Sequence, residues 1–213
     1  MAKINWLEAL KPLFKMYAGK KHPLKHKNLY QLVVVVILSA RDSDKHINEL
    51  SPKFFEKYQS ITNLKTTKPE DLFPYVGTVT NFGNKAQWLV NLAQQVGDDK
   101  NIPLTMEGLT SLKGIGRKSA NVIMSEMGVE MEGIIVDLHV LRVAPRLSIA
   151  QGTNPEKIEK QLMEAVPQKY WRLLGMSLTY LGREICRPTN PKCTMCPVMG
   201  VCEYYRTVVK KAK

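Results

Sequence analysis

The sequence predicts an all-α protein, and three of its features support this prediction. Apolar residues recur at helical spacing along most of the 213 residues, beginning with Leu7, Leu10, Leu13 and Phe14. Runs that alternate apolar and polar residues, as half-buried strands do, do not stand out. The hydrophobic content of 44% is normal for a globular protein, and the length suffices for one large domain or two small ones.

About ten helices are predicted along the chain. The ambiguous segment is Leu32–Leu38, whose β-branched residues suit a buried strand as well as a buried helix. Because its neighbours offer no alternating partner strand, we expect a helix there. The other predicted helices cover residues 5–17, 44–58, 71–75, 85–96, 118–127, 155–166 and 170–181, with a basic connector at 20–27, a domain junction at Gly128–Gly133 and a frayed basic tail at Lys210–Lys213.

The chain is strongly basic, with a formal net charge of +12 and a pI of about 9.5. This charge favours an anionic partner, either nucleic acid or a membrane surface. The longest apolar run is far shorter than the roughly 20 residues of a membrane-spanning helix. Met1–Trp6 lacks the apolar core of a signal peptide. We therefore expect a cytoplasmic protein without a membrane partner, in a reducing compartment that argues against disulfides.

Four cysteines lie close together near the C-terminus, in the spacing C-x6-C-x2-C-x5-C. Four thiolates so close can surround one metal centre, either zinc or an iron–sulfur cluster. Short zinc sites usually have two close cysteine pairs, whereas this spacing has one. The spacing therefore favours a cluster over zinc, two disulfides or four separate thiols. The candidate ligands are Cys186, Cys193, Cys196 and Cys202, in a stiff basic loop whose Arg187 and Lys192 could press on a phosphate backbone.

Residues 112–120 read LKGIGRKSA and predict a hairpin between two helices. Two glycines, Gly114 and Gly116, make a tight turn whose backbone N–H groups point outward. The following helix adds the positive end of its dipole, so turn and helix together can bind a phosphate without reading sequence. Ile115 can fix the turn to the core. The pattern therefore predicts a helix-hairpin-helix element that binds DNA.

Three residues in and after the hairpin have both a structural and a chemical interpretation. Lys118 is a phosphate contact or exposed helix lysine, or it is an amine nucleophile whose pKa is lowered by burial or by a cation such as Arg117. Asp137 is a helix N-cap, a catalytic carboxylate, or both. For His139 a structural hydrogen bond is the favoured interpretation.

The hairpin, the V-D-x-H segment at 136–139 and the cysteine tail occur in this order, and the chain closely resembles the endonuclease III family of helix-hairpin-helix DNA glycosylases. The resemblance covers nearly the whole chain. It implies two domains that flank a cleft. One is a six-helix barrel at 22–132. The other is a helical domain of residues 1–21 and 133–213 that carries a [4Fe-4S] cluster on the four cysteines.

The resemblance also implies a base excision repair mechanism on double-stranded DNA with a damaged base, above all an oxidised pyrimidine, or an abasic site. Lys118 would attack C1′ of the flipped nucleotide, Asp137 would stabilise charge on the sugar, and the resulting Schiff base would permit β-elimination. A monomer is expected, nucleoid-associated if prokaryotic, with a structural cluster. The expected DNA contacts are Ser39, Arg41, Asn81, Phe82, Lys85, Gly114, Ile115, Gly116, Arg117, His139, Arg187 and Lys192.

Both DNA-facing segments depart from the family pattern. The first usually reads L-S-A-Q-x-T-D, with the glutamine filling the gap left by the flipped base, but Arg41 stands at that position. In the second, Thr80, Asn81 and Phe82 stand where a glycine, a bulky apolar wedge and an aromatic are usual. Arg41 is longer and donates only, so we hypothesise that it favours an opposite guanine through the acceptor edge of that base.

Two alternatives stay open. A glycosylase of the same fold could act on a mismatched or alkylated base, which the substituted DNA-facing residues allow. A non-catalytic DNA-binding protein with a structural cluster is the other. The joint presence of Lys118 and Asp137 argues against it, and Lys118 favours lyase activity because monofunctional relatives usually lack this lysine.

Overall fold

The computed structural model describes residues 4–211, in which helices and short helical turns occur without any β-strand. The all-α prediction is confirmed. The first three residues of the predicted N-terminal segment, and Ala212 and Lys213 of the predicted basic tail, lie outside the described residues. Within 4–211, no helix is both long and apolar enough to cross a membrane.

The chain divides into two compact units. The hairpin unit comprises His22–Glu130, and the cysteine unit comprises the described residues of Met1–Lys21 and Met131–Lys213. In chain order the α-helices are α1 (Trp6–Ala9), α2 (Lys11–Tyr17), α3 (Leu29–Leu38), α4 (Asp44–Lys57), α5 (Ile61–Lys65), α6 (Phe73–Val76), α7 (Phe82–Val96), α8 (Met106–Thr110), α9 (Arg117–Glu126), α10 (Leu138–Leu147), α11 (Pro155–Ala165) and α12 (Trp171–Glu184).

Helix α3 is the central helix of the hairpin unit. Every side chain from Leu32 to Leu38 is buried, and the helix packs against α4, α7 and α9. Its first turn is capped by Asn28, whose Oδ1 accepts from the backbone N–H of Gln31 at 2.9 Å. A helix that is apolar on all sides must be surrounded by other elements, which explains why its residue spacing showed no polar face. The valine run is therefore a buried helix, as expected.

The predicted helices occur where they were expected but differ at their ends. The helix predicted over 5–17 is broken at Leu10 into α1 and α2, and Pro12 occupies the first turn of α2. The segment 71–75 is a 3-10 turn that leads into α6, with a proline in the first turn of each. Proline is favoured in the first turn of a helix, where its missing N–H costs no hydrogen bond, and this accounts for these starting points.

In the cysteine unit, α10 and α12 cross closely at a glycine. A Cβ added to Gly182 would lie only 2.7 Å from the Cβ of His139, so a larger residue would push the helices apart. Arg142 ties the crossing by donating to the carbonyl oxygens of Gly182 at 2.9 Å and Cys186 at 3.1 Å. The crossing fixes the start of α10, where Asp137 lies. Around it, the core of the unit is built from α2, α10, α11 and α12, with Leu13, Val140, Val143, Leu162, Leu174, Leu178 and Leu181 among its buried residues.

Candidate functional site

The hairpin between α8 and α9 is fixed by its first glycine and by an apolar anchor. Gly114 has φ +90°, and a Cβ there would lie 2.7 Å from the Trp88 ring. Ile115 is 4% exposed, and its backbone N–H donates to the carbonyl oxygen of Leu112 at 3.1 Å. Ile115 therefore anchors the turn as the sequence suggested, and a DNA contact by this residue stays a prediction.

The second glycine leaves the N-terminus of α9 open. Gly116 is the N-cap, in extended conformation, and no side chain caps the first turn. A Cβ at Gly116 would meet nothing within 4 Å. The first two helical residues are Arg117 and Lys118, and both are exposed. Open backbone donors at a positive helix end beside two cations can bind a phosphate. The exposed amine of Lys118 is also accessible to a substrate.

Asp137 is the N-cap of α10 and is held by three hydrogen bonds. Its Oδ1 accepts from the backbone N–H groups of His139 at 2.9 Å and Val140 at 2.8 Å. Its Oδ2 accepts from the hydroxyl of Thr179 at 3.1 Å. The capping interpretation is therefore confirmed, and the cap fixes the carboxylate in one orientation. His139 has the structural hydrogen bond expected of it, between its Nδ1 and Nη2 of Arg142 at 3.2 Å.

Two loops of the hairpin unit carry the residues expected to probe DNA. The first loop, residues 39–43, joins α3 to α4, and the second, residues 77–81, joins α6 to α7. Each contains one exposed residue in the left-handed region: Arg41 has φ 63° and Asn81 has φ 59°. Residues other than glycine rarely adopt this conformation, and when they do they often lie in functional sites. Both residues are therefore accessible on tightly specified loops.

Two further residues expected to contact DNA, Ser39 and Phe82, already make contacts within the protein. The hydroxyl of Ser39 donates to the carbonyl oxygen of Val36 at 2.9 Å. Phe82 is half-buried and packs edge-to-face on Phe73, with ring centroids 5.0 Å apart. A DNA contact by Ser39 or Phe82 stays a prediction.

Lys85 is buried, which corrects the prediction that it contacts DNA. It is 1% exposed, and its Nζ donates to the carbonyl oxygens of Leu38 at 2.8 Å and Ala40 at 2.6 Å. The third partner is Oδ2 of Asp42, at 3.2 Å. These three acceptors use all the donors of an ammonium group. The role of Lys85 is therefore to hold the first loop against α7.

The four cysteines line one cavity of the cysteine unit, of about 360 Å³ including its open mouth. All four are free thiols, so the disulfide interpretation is not supported. Among residues 4–211, no three His, Cys, Asp or Glu side chains converge closely enough to hold a single metal ion. A cube of iron and sulfide needs more widely spaced thiolates than one tetrahedral zinc. Four thiols around one cavity are a donor set that suits a metal centre.

The cavity is lined by apolar side chains as well as by the cysteines, and this affects the thiols. Burial raises the pKa of Cys196 to about 11 and also raises the pKa of Cys193 and Cys202. Thiols with raised pKa values stay protonated near neutral pH unless a metal binds them as thiolates. Cys193, Cys196 and Cys202 are therefore not activated as free nucleophiles.

Arg146 holds the loop that bears the first cysteine. Its Nη1 donates to the carbonyl oxygen of Arg187 at 2.8 Å and lies 3.5 Å from the Sγ of Cys186. Its Nη2 donates to the carbonyl oxygen of Pro188 at 3.1 Å, and the guanidinium lies over the Tyr204 ring. The side chains of Arg187 and Lys192 are exposed on this loop, so they stay candidates for phosphate contacts.

The hairpin and the helical fold together define a helix-hairpin-helix protein, and comparison with known proteins refines this class. Residues 34–168 match the family model of the HhH-GPD superfamily base excision DNA repair protein. Endonuclease III of Synechocystis sp. is 31% identical and covers 92% of this chain and 90% of its own length. Endonuclease III of Rickettsia prowazekii is 34% identical, with 85% and 86% covered. The chain therefore belongs to the endonuclease III family of this superfamily.

Solved structures agree with this assignment. A non-covalent endonuclease III–DNA complex and a trapped endonuclease III–DNA covalent intermediate each match with a TM-score of 0.87 at 29% identity, covering 97% of both chains. A thermostable thymine-DNA glycosylase, at 21% identity and a TM-score of 0.82, shares the fold. The predictions of fold and of DNA glycosylase class are confirmed.

Three supporting residues were not found in the sequence: Asp42, Thr179 and Arg146. Asp42 and Thr179 each act on partners about 40 residues away, Lys85 and Asp137 respectively. No local spacing reports such long-range contacts. The burial of Lys85 among the apolar residues of α7 is likewise a finding of the structure.

Proposed function

We propose that this protein is a bifunctional DNA glycosylase and abasic-site lyase in which Lys118 is the nucleophile and Asp137 the catalytic carboxylate. The observation that carries the proposal is the position of Lys118, which lies in the first turn of α9 directly after an open, glycine-capped helix start that can bind the phosphate of the reacting nucleotide. Membership of the endonuclease III family supports it, as does the similarity to an endonuclease III captured covalently on DNA.

The proposed reaction begins when the hairpin binds the backbone and the damaged nucleotide is flipped out of the duplex. The unprotonated amine of Lys118 attacks C1′ while the glycosidic bond breaks and the base leaves with the bonding electrons. Asp137, fixed by its three hydrogen bonds, stabilises positive charge on the sugar and accepts a proton from the amine. Ring opening then gives a Schiff base, and loss of a C2′ proton expels the 3′ phosphate.

We also propose that Cys186, Cys193, Cys196 and Cys202 hold a [4Fe-4S] cluster. The shared cavity and membership of the endonuclease III family support it. Bound there, the cluster would cross-link residues 186–202 as a structural element. The loop would then present Arg187 and Lys192 to DNA phosphates.

The proposed substrate is double-stranded DNA with an oxidised pyrimidine or an abasic site, acted on by a monomer in the cytoplasm. A mismatched base opposite guanine is the second candidate, and one observation favours it. Arg41 is exposed at a left-handed position of the first loop, and its guanidinium can donate to O6 and N7 of a guanine.

Borohydride trapping tests the proposal. Abasic-site DNA incubated with the protein and borohydride should give a covalent adduct, because reduction fixes the Schiff base. Lys118→Gln should abolish the adduct, whereas Lys113→Gln, an exposed lysine of the same hairpin, should retain it. Normal DNA binding with no adduct in the unsubstituted protein would refute the lyase proposal and leave a non-catalytic DNA-binding protein.

A further inference from the structure

Asp42 and Lys85 form a buried ion pair at the junction of the two DNA-probing loops. The side chains are 8% and 2% exposed, respectively. Besides Lys85, Oδ2 of Asp42 accepts from the backbone N–H of Thr80 at 2.9 Å, which belongs to the second loop. Its Oδ1 lies 3.1 Å from Nδ1 of His46 on α4. One carboxylate therefore joins the first loop, the second loop, α4 and α7.

The network extends on both sides of the pair. Nε2 of His46 lies 2.9 Å from the hydroxyl of Thr78, which gives a second link between α4 and the second loop. The hydroxyl of Thr80 donates to the carbonyl oxygen of Arg41 at 3.4 Å. Burial of Asp42 would raise its pKa, but the hydrogen bonds from Lys85, His46 and the Thr80 N–H outweigh this, and the pKa is lowered. The carboxylate is thus kept ionised at the centre of the network.

The positions of the left-handed residues give this network a consequence for the loops. Arg41 directly precedes Asp42, and Asn81 directly follows Thr80. Left-handed backbone in residues other than glycine persists only where the surroundings fix it. Because Asp42 bonds to both loops, loosening this one side chain releases Arg41 and Asn81 together.

We propose that Asp42 and Lys85 are positioning residues that hold Arg41 and Asn81 as one rigid probe for the strand opposite the lesion. The inference rests on the proposed function, since it assumes that these two residues meet DNA. The pattern of the first segment, L-S-A-Q-x-T-D, leaves the position of Asp42 unspecified. The pair is therefore a feature of this chain that the family pattern does not require.

A purely structural role for the pair makes a different prediction. It would lower stability and the fraction of folded enzyme, which reduces activity equally on every substrate. A positioning role affects only substrates that have an opposite strand. The ratio of kcat/KM on an abasic duplex to kcat/KM on the same abasic strand without its complement separates the two, because the active fraction cancels.

The test uses the full chain with Asp42→Asn, which removes the charge and keeps an acceptor oxygen. We expect the duplex-to-single-strand ratio to fall about fivefold or more, through a higher KM on duplex, while cleavage of the single strand is unchanged. The matched control is Glu184→Gln, which removes the acid of the Lys20–Glu184 pair in the cysteine unit, where the N···O distance is 3.1 Å. This control should leave the ratio unchanged.

An unchanged ratio in Asp42→Asn, an equal loss on both substrates, or a ratio near one in the unsubstituted protein would overturn the inference. If Asp42→Asn does not fold, the double variant Asp42→Asn/Lys85→Met leaves no unpaired charge and is judged by the same ratio. Borohydride trapping distinguishes failure of the proposed function from failure of the positioning role. Absence of any adduct refutes the proposed function, whereas normal trapping with an unchanged ratio refutes the positioning role alone.

Discussion

Asp137 caps a helix, and in the proposed reaction the same side chain also has a chemical role. Its carboxylate caps α10 through two backbone N–H groups and accepts from Thr179. An N-cap holds a side chain at a fixed place and orientation. Single substitutions can therefore separate capping from catalysis.

We predict that Asp137→Asn keeps the fold and loses the activity. Asparagine caps helices as well as aspartate, so the free energy of unfolding should change by less than about 1 kcal/mol. Excision should fall about 100-fold or more because the charge is lost. Asp137→Ala should lose the excision activity and also about 1 kcal/mol of the free energy of unfolding. Chemical denaturation and single-turnover cleavage measure the two effects. Near-normal cleavage by Asp137→Asn would show that Asp137 is only a cap.

We predict that Arg41→Gln changes the preference for the base opposite the lesion. A guanidinium that donates to both acceptors of guanine contributes about 1–3 kcal/mol of discrimination, so the rate ratio between opposite guanine and opposite adenine should fall about tenfold. Cleavage of duplexes that differ only at that base measures the ratio. The control Lys45→Gln removes an 86% exposed lysine of α4 and should leave the ratio unchanged. An unaltered ratio in Arg41→Gln would rule out guanine recognition by Arg41.

Among the elements, the hairpin contains two glycines that differ in what surrounds them. Gly114 is needed inside the protein, because of its positive φ and its contact with Trp88. Gly116 has an ordinary backbone conformation and open space beside it. Nothing among residues 4–211 requires a glycine at Gly116, which is consistent with close approach of a phosphate from outside.

We predict that alanine substitutions separate these two requirements. Gly114→Ala should destabilise the protein by about 2–4 kcal/mol through backbone strain and overpacking against Trp88. Gly116→Ala should leave the melting temperature nearly unchanged but weaken DNA binding about tenfold, because the methyl group occupies the phosphate site. Thermal melts and binding titrations at fixed salt measure both. Equal effects of the two substitutions on DNA binding after correction for stability would contradict the phosphate site.

Some helices and turns could be predicted from the sequence, and others could not. Helix periodicity and the hairpin glycines are local signals, so α4, α9 and the turn at 114–116 were predicted nearly where they lie. The valine run could be resolved only by elimination, because a helix buried on all sides has no polar face. The internal role of Lys85 could not be predicted, since its partner Asp42 is 43 residues away.

At the scale of the whole molecule, the residues of the proposed reaction come from both units. Lys118 and the two loops belong to the hairpin unit, and Asp137 and the four cysteines belong to the cysteine unit. The cavity of the cysteine unit is lined by both α10 and α12 residues and by the cysteine loop. A cluster there would therefore stabilise the unit that positions Asp137.

We predict about four irons and visible absorption in anaerobically purified protein, as expected for a [4Fe-4S] cluster. Cys196→Ser should lose iron and lower the melting temperature, since binding energy of the metal centre contributes to folding. Thr194→Ser, an exposed residue between two of the ligands, is the matched control and should retain the iron. One zinc per chain without visible absorption would contradict the cluster.

The central claim, that Lys118 forms the covalent bond to DNA, can be tested by locating the adduct. The protein is trapped on abasic DNA with borohydride, the nucleic acid is digested to the sugar remnant, and the peptides are mapped by mass spectrometry. We predict that the added mass lies on Lys118 and that trypsin no longer cleaves after it. An adduct on Lys113, on another lysine or on the N-terminal amine, with Lys118 unmodified, would contradict it.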